Sequence, residues 1–163
     1  MDSNIFFEAP NAETEKPRLR VDVVLSVLSS EDREELHDEA YATISLIDSS
    51  YNPEIDKFAA VIRGRDAASF AKSYALDALI VLVNDRDAFC GLVGPGLEDP
   101  DEVLRAETVN AIVRRRCAST DRLLSGLIAI AKGRSDDVMT RCRALSLMVK
   151  YIGLKNAVRK LKS

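Results

Sequence analysis

The sequence predicts an all-α protein, and three observations carry that prediction. Apolar residues recur at spacings of three and four, and no run alternates apolar with polar residues as a half-buried strand would. Helix start and stop signals follow one another in helical order. Three apolar segments can also be laid over one another at offsets close to the length of one helical hairpin. The expected architecture is a compact bundle of about six to eight helices or a short stack of helical hairpins.

Residues 1–17 carry Pro10, Asn11 and Pro17 among acids and read as a flexible arm. The apolar patch Ile5, Phe6 and Phe7 makes that arm a candidate for docking into a groove of a partner. A single α-helical domain is expected from residue 18 to 163. It opens with a short apolar helix near 21–28. Ser29, Ser30 and Asp32 then start an amphipathic helix with Leu36, Ala40, Ile44 and Ile47 one turn apart. Asn52-Pro53-Glu54 gives a cap, a first-turn proline and an acid in favourable order for a third helix, closed by Gly64.

Residues 66–84, apolar nearly all round from Phe70 to Val83, predict the most buried helix. A short helical turn at 86–92 leads into Gly91, Gly94, Pro95 and Gly96, the strongest break in the chain, so a hinge is expected at 91–98. Asp99-Pro100-Asp101-Glu102 starts a helix ending at Arg114, Arg115 and Arg116. Ser119-Thr120-Asp121 starts another ending at Lys132-Gly133, and Ser135-Asp136-Asp137 a third ending at Gly153. Each has acids in its first turn and bases or glycine at its end, as the helix dipole and capping favour. Residues 154–163 read as a short basic helix that frays.

The segment from Lys72 to Ile80 aligns with Arg105 to Val113 at an offset of 33, and the latter with Arg141 to Val149 at 36; a base, a small residue and an apolar pair recur in each. Over roughly residues 66–153 the chain resembles the HEAT and armadillo class of helical repeats, most clearly in Asp99-Pro100-Asp101-Glu102-Val103-Leu104-Arg105 and the small and apolar residues that follow. The resemblance implies a macromolecule-binding protein.

At 163 residues the chain buries about 70% of the surface it exposes unfolded, so it needs no staple. Cys90, Cys117 and Cys142 are odd in number and far apart, without a C-x-x-C pair, and imply no disulfide framework. With no signal-peptide pattern and no apolar run longer than residues 78–83, a reducing cytoplasmic or nuclear setting and no membrane are expected. The net charge of −3 hides a division: residues 1–109 hold 10 basic and 23 acidic residues, whereas residues 110–163 hold 13 basic and 3 acidic. Such asymmetry points to an anionic partner or to head-to-tail self-association.

No catalytic set, metal site, cofactor or small-molecule substrate is expected. His37 and Glu34 offer a metal two ligands where three or four are needed. Gly91, Gly94 and Gly96 lack the Lys-Ser or Lys-Thr of a phosphate loop and are followed by acids. Asp99, Asp101 and Glu102 miss the calcium-loop spacing. Cys117 follows three arginines that could lower its pKa, yet no base accompanies it.

The candidate site is instead the basic C-terminal third: Arg114, Arg115, Arg116, Arg122, Lys132, Arg134, Arg141, Arg143, Lys150, Lys155, Arg159, Lys160 and Lys162. The leading expectation is a non-enzymatic adaptor that binds another protein or itself, as a homo-oligomer. The alternative is an RNA- or DNA-binding accessory factor of a viral or regulatory nucleoprotein, neutralising phosphates with those bases.

Overall fold

Side-chain capping starts α-helices of the C-terminal half in the computed structural model, which describes residues 6–8, 18–28, 30, 35–46, 55–64, 67–133 and 136–163. The fold is all-α, and the chain divides into two units, Met1–Asn84 and Asp85–Ser163.

In the first unit, α1 (Val21–Leu28), α2 (His37–Leu46), α3 (Ile55–Arg63) and α4 (Ser69–Leu82) surround a core of Val24, Leu28, Ile44, Phe58, Leu76 and Leu79. Helix α4 packs against the other three. Its buried residues follow the expected apolar run, while Asp77 and Val81 reach the surface. The caps at Ser29 and Asn52, and Ile47, lie outside the described residues, as does the side chain of His37.

The expected docking arm is corrected. Phe7–Glu8 (β1) pairs antiparallel with Arg18–Leu19 (β2), and the Arg20 amide donates to the Phe6 carbonyl at 2.7 Å. Phe6 is fully buried, so its ring fills this chain's own core and is not offered to a partner. Burying a phenylalanine releases about 1.5–3 kcal/mol, which favours seating Phe6 in this chain's own core. Phe7 is half-buried, and Ile5 lies outside the described residues.

In the second unit, α5 (Arg86–Val93) runs into a 3₁₀ segment (Gly94–Glu98), followed by α6 (Glu102–Arg115), α7 (Asp121–Lys132), α8 (Val138–Ile152) and α9 (Leu154–Lys162). Four helices have N-caps whose side chains accept first-turn amides: Asp85 from Ala88, Asp101 from Val103 and Leu104, Thr120 from Leu123, and Asp137 from Met139 and Thr140. Helix α6 ends on Arg116, whose left-handed backbone (φ 52°) closes the last turn.

The hinge expected at 91–98 is also corrected. The division between units falls between Asn84 and Asp85, and the 3₁₀ segment packs on α6 and α7 inside the second unit. Glycine is needed there for close approach rather than for bending: a Cβ on Gly96 would collide with the Thr108 hydroxyl, and one on Gly126 would sit 2.7 Å from the Leu97 Cβ. Leu97, Leu104, Ile112, Leu123 and Leu127 form the core around this contact.

The cysteine expectation changes too. Cys90 on α5 and Cys117, just beyond the α6 cap, form a disulfide with their Cα atoms 5.7 Å apart. The αL turn at Arg116 carries the chain back over α5, which spacing along the sequence does not reveal. Cysteine usage therefore no longer argues for a reducing setting. Cys142 is free and exposed. The expected fraying of the tail is not seen: α9 continues to Lys162, packs on α7 and α8, and buries Ala157. Among the described residues no helix is long and apolar enough to cross a membrane.

Candidate interaction surface

Two contacts between α6 and α8 fix where the basic residues stand. At the start of the helices, the Arg105 guanidinium on α6 donates through Nε to Asp136 Oδ1, just before α8, at 2.6 Å. Through Nη1 it also donates to the carbonyls of Asp99 (2.7 Å) and Pro100 (2.8 Å). Both partners are almost fully buried, with side-chain exposures of 10% and 4%. At the far end, the Tyr151 hydroxyl on α8 donates to the Cys117 carbonyl at 2.7 Å. Helices α6 and α8 therefore run in the same direction, and their C-termini lie at one end of the unit.

That end gathers bases. Arg114 and Arg116 close α6, Lys150 lies in the last turn of α8, and Lys155 is the second residue of α9, two after Gly153. All four are exposed, and none is in an ion pair among the described residues. Two helix C-termini point the same way, so their partial negative charge favours bases there. Four exposed cations exceed that requirement and leave charge for an external anion. Asp121, exposed at the start of α7, brings one carboxylate to the same end.

The remaining nine candidates do not join this cluster. Arg115 is half-buried, its guanidinium 4.8 Å from the centroid of the Phe89 ring, so it acts inside the fold. Arg122 lies 3.8 Å from Glu98, both half-exposed, a pairing worth little. Arg143 donates to Asn110 at 2.8 Å across α8 and α6. Lys132 ends α7, while Arg159, Lys160 and Lys162 lie in the last turn of α9, which leads away from the Lys155 end. Arg141 is half-buried on the second turn of α8. Arg134 lies outside the described residues.

Sequence reasoning missed the Arg105–Asp136 pair, whose only signal is a base and an acid recurring at equivalent helix starts. It also missed the role of Tyr151. Burial raises the Tyr151 pKa above its ordinary 10.0, and its hydroxyl is already committed to Cys117. The Asp137 carboxylate is held below its ordinary 3.8, first by the hydroxyl of Thr140 and then by the Thr140 and Met139 amides. Among the described residues no group of three or more His, Cys, Asp or Glu side chains is placed to hold a metal ion. Comparison of the chain with family models, with curated proteins and with solved structures finds no match.

Proposed function

We propose that this chain is a non-enzymatic helical adaptor whose second unit binds an acidic protein surface through Arg114, Arg116, Lys150 and Lys155. One observation carries the reading: four exposed bases, without ion-pair partners among the described residues, stand at the shared C-terminal end of α6 and α8. The charge division supports it. The first unit holds 8 basic and 16 acidic residues and the second 15 basic and 10 acidic, so the units carry −8 and +5. Stacking of helical hairpins in the HEAT and armadillo manner suits such a role by analogy only, because fold does not fix function.

A nucleic acid is the second reading, since exposed bases neutralise phosphates as readily as carboxylates. It is the weaker one. Sequence-tolerant binding of single strands draws on aromatic stacking. Tyr151 is the one aromatic residue after Phe89, and it is half-buried with its hydroxyl engaged.

The test is titration of the full chain with poly-glutamate and, separately, with a homopolymeric RNA, at roughly 50 mM salt, where screening is weaker than at physiological strength. The expected result is poly-glutamate binding that weakens with salt and drops at least tenfold when Arg114, Arg116, Lys150 and Lys155 are all changed to Glu. Binding of RNA alone would transfer the assignment to the second reading. Binding of neither would remove both.

A further inference from the structure

Helix α9 turns an apolar stripe and a row of bases toward solvent. Leu154 is 65% and Val158 39% exposed, and they stand four residues apart, so they form a stripe one turn long on the helix surface. Another face of α9 is already in use: Ala157 is fully buried and the helix packs on α7 and α8. Lys155 and Arg159 each follow one of the two apolar residues, and Lys162 continues their row at the next turn. All three are exposed, and none is in an ion pair among the described residues. Neither α8 nor α9 contains an acidic residue.

The helix dipole accounts for bases in the last turn of α9, where Arg159 and Lys162 stand. It does not account for Lys155, a base in the first turn, nor for Leu154 and Val158 left in water. A surface that is acidic and apolar at once answers both, covering the stripe and neutralising the row beside it. The stripe starts next to Lys155, at the end of the unit where Arg114, Arg116 and Lys150 also stand.

We infer that the partner bound at this end is an acidic amphipathic helix of another protein, laid along α9 with apolar side chains on Leu154 and Val158 and carboxylates beside Lys155, Arg159 and Lys162. The inference rests on the reading of this unit as an acid-binding adaptor and names what its partner must carry. A helix matches the stripe in spacing: its side chains three or four residues apart rise about 4.5–6 Å along the axis, and four residues of α9 rise about 6 Å by the same geometry. Acids flanking an apolar seam then fall beside the bases of α9, as flanking charges do where paired helices choose partners. A bilayer is the poorer match. An interfacial helix sinks its whole apolar face among lipids, whereas the Ala157 face of α9 is packed within the unit.

Fluorescence anisotropy of the full chain at roughly 50 mM salt tests the inference with three probes of equal charge. They are poly-glutamate, a helical glutamate–leucine–alanine peptide with its leucines in one stripe, and a scrambled peptide of the same composition. The striped peptide is expected to bind at least tenfold tighter than the other two. Leu154→Gln combined with Val158→Gln should remove that advantage and leave poly-glutamate binding unchanged, with circular dichroism confirming the fold. Charge reversal at Arg114, Arg116, Lys150 and Lys155 should weaken binding of all three probes. Equal binding of the three overturns the inference and leaves the acid-binding reading standing, as does an advantage that the double variant retains. Binding of no probe removes the reading and the inference together. In place of a preference for the striped peptide, binding to phosphatidylserine vesicles that the double variant loses would assign the stripe to a membrane, and self-association that it loses would assign the stripe to a second copy. Either result overturns the inference.

Discussion

At the scale of single residues, Arg105 and Asp136 hold the second unit together with the highest stakes. Each is a charge nearly removed from water, and removing one partner strands the other. Asp136→Ala should therefore cost about 3–5 kcal/mol, readable as a lower midpoint in urea unfolding. A loss under about 1 kcal/mol would mean that the Asp99 and Pro100 carbonyls alone satisfy the guanidinium. Asp137 makes a different kind of prediction. Its pKa is depressed in the folded chain, so its contribution to stability is present above about pH 3.8 and is lost as pH falls through the lower folded value. Thr140→Val removes the largest cause and keeps the shape. The Asp137 carboxyl carbon, followed by NMR, should then titrate closer to 3.8; an unmoved titration would put the two backbone amides in control.

At the scale of elements, the Cys90–Cys117 bond ties α5 to the end of α6 and closes a loop with a sequence separation of 27. A loop of that length is worth about 3–4 kcal/mol in the chain-entropy account. Reduction should lower the thermal midpoint of the second unit, measured by calorimetry with and without a phosphine reductant, and Cys90→Ser should reproduce the shift. An unchanged midpoint would show that the packing of Phe89 and Val93 already fixes α5. The starts of α6, α7 and α8 were the most legible elements, because Asp101, Thr120 and Asp137 act locally as side-chain caps. Residues 91–98 were misread for a related reason. Glycine and proline signal a break in the chain, yet here they let a 3₁₀ segment approach Thr108 and Leu97 without side chains in the way.

For the whole molecule, the division into units at Asn84 and Asp85 turns an uneven charge count into two bodies of opposite sign. The contact proposed for Arg114, Arg116, Lys150 and Lys155 draws on that property, and it should weaken with added salt because all four bases are exposed.

The sequence by itself determined the all-α class, the caps that start α6, α7 and α8, and the inventory of bases. These depend on residues within a turn or two of one another, and periodicity and capping report such relations directly. Only the tertiary structure decided which bases act together. Arg115 went to Phe89 and Arg143 to Asn110, Arg105 found a carboxylate 31 residues away, and Arg141 found none. Those outcomes depend on which helix ends are brought side by side and which donors are closed off from water, and no spacing along the chain encodes either.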